Sequence, residues 1–95
     1  MPLFVLTCLD KPGALDLRMA TREAHLAYAD GCGDMVKLGG PLLDERGGMI
    51  GSLIIIEAED RAAADSFSAA DPYRKAGLFT SVDIRPFRAV RGSLD

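Results

Sequence analysis

The run Leu53-Ile54-Ile55-Ile56 limits the possible folds of this chain more than any other stretch. A strand that alternates apolar and polar residues leaves one face to water, whereas a short run that is apolar at every position is covered on both faces. The strand expected at residues 50–59 must therefore lie inside a sheet, with other groups packed above and below it. The remaining elements have to be arranged around that requirement.

Turn residues divide the chain on either side of it. Residues 3–9 are short, apolar and partly β-branched, and Lys11-Pro12-Gly13 turns the chain out of the strand they predict. A helix is expected over 14–30, stopped by Gly31-Cys32-Gly33, with Thr21 placed to cap a fresh start within it. A second strand over 35–42 contains Gly39-Gly40-Pro41, an interior that implies a bulge or a close approach of backbone to another group. Asp44-Glu45-Arg46-Gly47-Gly48 is then a hairpin turn into the central strand. Asp60 caps an Ala-rich helix over 61–70, on which Ala63, Phe67 and Ala70 fall on one side. Asp71, Pro72 and Gly77 serve as cap, first helical residue and stop of one further turn. The last strand is expected over 79–89, followed by a loose tail over 91–95.

The order β-α-β-β-α-β is that of a ferredoxin-like plait, an α+β fold with helices on one sheet face. At 95 residues the chain forms one domain, and such a domain buries only roughly 60–65% of its unfolded surface. Hydrophobic residues make up 48%, with no Trp, which is a high share for so small a core. No element remains to cover the second face of the sheet. Packing of two copies, sheet against sheet, is the economical solution, so a homodimer is expected.

Charge and motif content exclude several function classes. A net charge of −3 without clustered Lys and Arg argues against nucleic-acid and anionic-membrane surfaces. The start has an apolar run but no basic region and no cleavage signal, which points to a cytoplasmic protein. Cys8 and Cys32 lack the spacing of a redox or zinc motif, so no metal is expected. Gly47-Gly48 lacks the Lys and helix of a phosphate loop, so no nucleotide or flavin cofactor is indicated.

Chemistry is left to one imidazole. His25 is the single histidine, and a carboxylate-held imidazole can take a proton near neutral pH and return it. Without such a partner, a helical His is a surface or core-edge residue, and Asp before Pro at a helix start is a cap that stabilises by about 1 kcal/mol. Asp71 can do both jobs, one oxygen for the cap and the other for the imidazole. Arg22 lies one turn before His25 on the same helix side, where it either extends to solvent or pairs with an anion. Tyr73 either lines a cavity or closes the core beneath the short turn, and Gly39, Gly40 and Pro41 relieve backbone crowding.

Four pieces in order carry a resemblance: Arg22-x-x-His25-Leu26, Gly39-Gly40-Pro41, Ala70-Asp71-Pro72-Tyr73 with Gly77, and Ile84-Arg85-Pro86-Phe87. Together they resemble the YciI-like (YCII-related) family over nearly the whole chain. The resemblance implies a dimeric α+β barrel of ferredoxin-like subunits, similar to muconolactone isomerase, and a His–Asp active site that maps onto His25 and Asp71. A dehydrochlorinase acting on a chlorinated hydroxyquinol is among such relatives. Family members often have Pro after the motif Arg, where this chain has Glu23, a change that bears on how the helix starts.

The leading expectation is a small cofactor-independent enzyme. His25 and Asp71 would perform isomerisation or elimination on an oxygenated, aromatic or lactone-like metabolite. Arg22, Tyr73, Gly40 and Pro41 would bind it. The alternatives are a non-catalytic small-molecule-binding module and a dimeric interaction partner in which His25 is structural.

Overall fold

In a computed structural model of the chain, residues 1–94 are described; Asp95, the end of the expected tail, lies outside them. Strand β1 (Leu3–Asp10) leads into helix α1 (Leu15–Gly31), and a short 3-10 turn (Gly33–Met35) precedes strand β2 (Val36–Leu43). Strand β3 (Met49–Glu57), helix α2 (Arg61–Ala70), the single-turn helix α3 (Pro72–Lys75) and strand β4 (Phe79–Phe87) complete the order. The sheet is antiparallel in the order β2-β3-β1-β4, which is the ferredoxin-like plait.

Register explains how β3 can be apolar at every position from Leu53 to Ile56. Ile54 and Ile56 pair with Leu6 and Phe4 of β1 and face the helices, where they join Cys8, Ala64, Phe67 and Ile84 in the buried core. Leu53 and Ile55 pair with Thr7 and Val5 and so face the other way. Ile55 lies between Val5 and Leu38 and is only 6% exposed although no helix covers that face. Leu38 and Phe87, at 52% and 40% exposed, extend the same open face towards the sheet edges.

Local chemistry corrects four expectations. Helix α1 runs through Thr21 without a break, because the Thr21 hydroxyl donates back to the Leu17 carbonyl at 2.8 Å instead of capping a new start. No bulge occurs at Gly39-Gly40; the register shifts lie on either side, between Val36 and Leu38 and between Leu42 and Leu43. The buried side of α2 is Ala64, Phe67 and Ser68, with Ala63 and Ala70 half-buried at its margins. Strand β4 ends at Phe87, two residues short of the expected 89. The hairpin turn is as expected, since Asp44 Oδ1 accepts from the backbone N–H groups of Arg46 and Gly48, each at 2.9 Å. Gly77 ends α3 at φ 78°, a conformation that disfavours other residues.

Leu6 sits between β3 and β4 at 1% exposure. Replacing Leu6 by Ala should therefore destabilise the fold by about 3 kcal/mol, read as a lower urea midpoint with unchanged slope.

Candidate active site

Helix α1 crosses the sheet with Arg18, Arg22, His25 and Ala29 on one side, at intervals of four, three and four residues, which is the spacing of a single helical stripe. That stripe looks onto a cavity of about 200 Å³ between helix and sheet. On the sheet side the wall is formed by Gly39, Gly40 and Pro41 of β2 with Ser52 and Ile54 of β3. Absence of side chains keeps this wall open. A Cβ on Gly39, which shares the helix-facing side with Ile54, would meet Ile54 and the Leu53 carbonyl at 3.9 Å, an ordinary contact, so this glycine leaves room for a ligand and relieves no crowding. Gly40 shares the face of Leu53, turned away from the helices, and lines the cavity with its backbone.

His25 and Asp71, 46 positions apart, meet at 2.8 Å through Nδ1 and Oδ1. Their side chains are 13% and 4% exposed. The same Asp71 Oδ1 accepts the backbone N–H of Tyr73 at 2.9 Å, so cap and imidazole share one oxygen, contrary to the expected division between two. The N-cap geometry turns Oδ1 towards the start of α3, and α1 packs across that start. Because a carboxylate only accepts, the His25 Nδ1 proton points at Asp71, and Nε2 is the ring nitrogen left for the cavity that His25 lines.

Tyr73 both closes the core and lines the cavity, which unites its two expected roles; it is 2% exposed. Its ring stacks on the His25 ring at 4.1 Å and lies 4.7 Å from the Arg18 guanidinium carbon. Burial pushes the Tyr73 hydroxyl above the usual tyrosine range, against the pull of Arg18 and Arg22, and so holds it as a neutral phenol. Arg22 stands on the exposed rim of the cavity.

Arg18, Asp10 and Ser52 were not singled out from the sequence. Arg18 is 3% exposed and donates through Nε and Nη2 to the two Asp10 oxygens at 2.7 and 3.0 Å, and through Nη2 to Ser52 Oγ at 2.7 Å. Burial works to lower its pKa, but the Asp10 carboxylate outweighs burial and holds the guanidinium above its ordinary range. The signal was the four-residue step from Arg18 to Arg22, which puts both on one stripe. Cys8, buried beneath the site, has its thiol pushed up to about 12 by burial and then by Asp71, which makes it inert as a nucleophile.

Among the described residues no group of three or more His, Cys, Asp and Glu is placed to hold a metal ion, and no helix is long and apolar enough to cross a membrane.

The YCII-related domain family matches residues 2–88. The chain belongs to this family. Protein YciI of Escherichia coli O6:H1 (strain CFT073) is 35% identical over 96 residues, covering 93% of this chain and 98% of that protein. A solved structure of 5-chloro-2-hydroxyhydroquinone dehydrochlorinase from Burkholderia phenoliruptrix AC1100, in complex with 2,5-dihydroxybenzoquinone, superposes with a TM-score of 0.85 at 36% identity. It covers 90% of this chain and 93% of that one. An antibiotic biosynthesis monooxygenase structure, 17% identical with a TM-score of 0.58 over 96% of this chain and 100% of its own, shares the fold alone.

Cys8 and Tyr28 ionise near 9.0 and 10.0 when unfolded but at about 12 when folded, in each case chiefly through burial. The folded state therefore holds these protons longer, and their contribution to stability, complete below pH 9, is lost as pH rises towards 12. Urea midpoints should fall across that window, and Tyr28→Phe should make the decline shallower; a flat profile would contradict the burial of these groups.

Proposed function

We propose that this YCII-family protein is a small cytoplasmic enzyme in which His25 is the general base and acid and Asp71 fixes its tautomer and supports the imidazolium. Its substrate is a small oxygenated metabolite, aromatic or lactone-like. The reaction is isomerisation or an elimination such as dehydrochlorination, and it needs no cofactor. The 2.8 Å contact between His25 Nδ1 and Asp71 Oδ1 at the cavity wall is the observation that carries this reading. The family kinship and the similarity to a dehydrochlorinase support it further.

The buried donors complete the chemistry. Arg18 only donates, so Ser52 Oγ accepts from it and keeps its own proton for another acceptor. A substrate oxygen received by Arg18 and Ser52 would gain negative charge as His25 Nε2 removes a proton, and these donors would hold the resulting enolate. If the enolate takes the proton back at another carbon, the product is an isomer. If instead it expels chloride from the neighbouring carbon, the proton on His25 and the departing anion sum to loss of HCl. Tyr73, Gly40 and Pro41 shape the pocket, and Arg22 stands near its mouth.

The same proposal includes a homodimer. Val5, Leu53, Ile55 and Leu38 present an apolar face that no helix covers, and a second copy laid on it would close an α+β barrel. Sedimentation equilibrium should give twice the chain mass for the wild type and the single mass for Leu53→Lys. A monomeric wild type would overturn the dimer.

For the dyad, ¹⁵N NMR of the single His ring should find the neutral form protonated at Nδ1 in the wild type, with that preference lost in Asp71→Ala, which removes the acceptor that Asn would keep. Chloride release from 5-chloro-2-hydroxyhydroquinone should fall at least about 100-fold in His25→Ala while binding persists. Binding without release in the wild type would favour a non-catalytic module, and an unchanged tautomer in Asp71→Ala would remove Asp71 from the site.

A further inference from the structure

The cavity is electrostatically one-sided. Two guanidiniums and an imidazole line it and no Asp or Glu does, although the chain as a whole carries −3. The two arginines differ in kind. Arg18 has its charge met by Asp10 inside the protein. Arg22, on the exposed rim, makes no hydrogen bond or ion pair among the described residues. Its helical neighbours three and four positions away are Met19, His25, Arg18 and Leu26, so α1 itself offers it no anion. The adjacent Glu23 points to a different side of the helix. The Arg22 charge is nevertheless felt inside the site, where it opposes the upward push of burial on the Tyr73 hydroxyl. A cation at a cavity mouth with no internal partner is free to receive an anion from outside.

We propose that the substrate carries a carboxylate separate from its reacting oxygen, and that Arg22 receives it while Arg18 and Ser52 hold the oxygen. This deepens the enzymatic reading above and rests on the same cavity; 5-chloro-2-hydroxyhydroquinone, which lacks the carboxylate, tests the reaction there as a surrogate that leaves Arg22 unmet. One helical turn separates the two arginines, roughly 6 Å between Cβ atoms. Both arginines line one cavity, so a ligand that meets both bears two oxygenated ends within the span of that cavity. A volume of about 200 Å³ lies below the ~300–1,000 Å³ of drug-sized pockets. A single-ring hydroxy acid or a short oxo acid fits these limits, and a larger conjugate does not. Arginine suits the role because its planar fork takes both oxygens of a carboxylate at once.

A matched pair of probes tests the carboxylate alone. 2,5-Dihydroxybenzoate and its neutral counterpart 2,5-dihydroxybenzyl alcohol are titrated against the protein while the His25 ring resonance is followed by NMR. The wild type should bind the carboxylate about fivefold or more tightly than the alcohol, a preference weakened by added salt because Arg22 is exposed. Arg22→Gln should reduce the preference to near unity without changing alcohol binding, and Arg22→Lys should retain part of it. Unchanged alcohol binding also reports that the variant is folded. The assignment is overturned if the preference survives Arg22→Gln, if both probes bind equally to the wild type, or if neither binds. Failure of the dyad is a separate result: it appears as an unchanged tautomer in Asp71→Ala, with the carboxylate preference intact.

Discussion

A guanidinium at 3% exposure is tolerated only beside a carboxylate, and the bond between Arg18 and Asp10 is the constraint from which the site is built. It ties the last residue of β1 to the first turn of α1 and so fixes where the helix lies along the sheet. With Arg18 held, Tyr73 has a cation beside its ring and His25 has that ring to stack on. Arg18 and His25 are seven residues apart, about 10.5 Å of helical rise. A single aromatic ring therefore bridges most of the distance between them. Asp71 closes the series by accepting from both His25 and the backbone N–H of Tyr73. Removing one member leaves the next without its support, so the geometry of the dyad is a property of the whole series from Asp10 to Asp71.

Much of this arrangement was legible in the sequence because it follows from local rules. The unbroken apolar run in β3, the turn residues at Asp44-Gly48 and Gly77, and the caps at Asp60 and Asp71 each act within a few residues, and together they give the order of elements. The parts that were not legible depend on distant partners. Arg18 on a helix ordinarily reads as a solvated residue, and Asp10 before Lys-Pro-Gly reads as part of a turn. Only the packing of α1 over the end of β1 makes them a buried pair. Gly39 and Gly40 look like a distortion when read alone, yet the strand passes through them in register, and the meaning of Gly39 lies in the space it leaves open on the helix-facing side.

The division of Asp71 shows the same limit on a finer scale. Its role as a cap and its role as a partner of His25 were both inferable, but which oxygen does which depends on the angle between α1 and α3. In the folded chain both fall on Oδ1. Two donors on one oxygen concentrate its lone pairs on the site, and the backbone N–H of Tyr73 fixes that oxygen more firmly than a freely rotating carboxylate could be fixed. An imidazole oriented by such a group keeps one tautomer, which the proposed role of general base requires.

The two faces of the sheet divide the labour. The helix-facing side of β1 and β3 carries Phe4, Leu6, Ile54 and Ile56, which bury the core, and then gives way to Ser52, where the apolar floor meets the guanidinium. The other side carries Val5, Leu53 and Ile55, which contribute nothing to the cavity and are apolar all the same. A chain of this length has little surplus hydrophobic surface to leave in water. Retaining a second apolar face is therefore a cost to the isolated subunit that covering by another copy would offset. Under that arrangement β3 is loaded from both sides, and the strand that anchors Ser52 becomes the most constrained element of the site. Rigid support of this kind is what a small pocket requires if its donors are to meet charge as it develops, because donors that had to move to do so would lose much of their advantage.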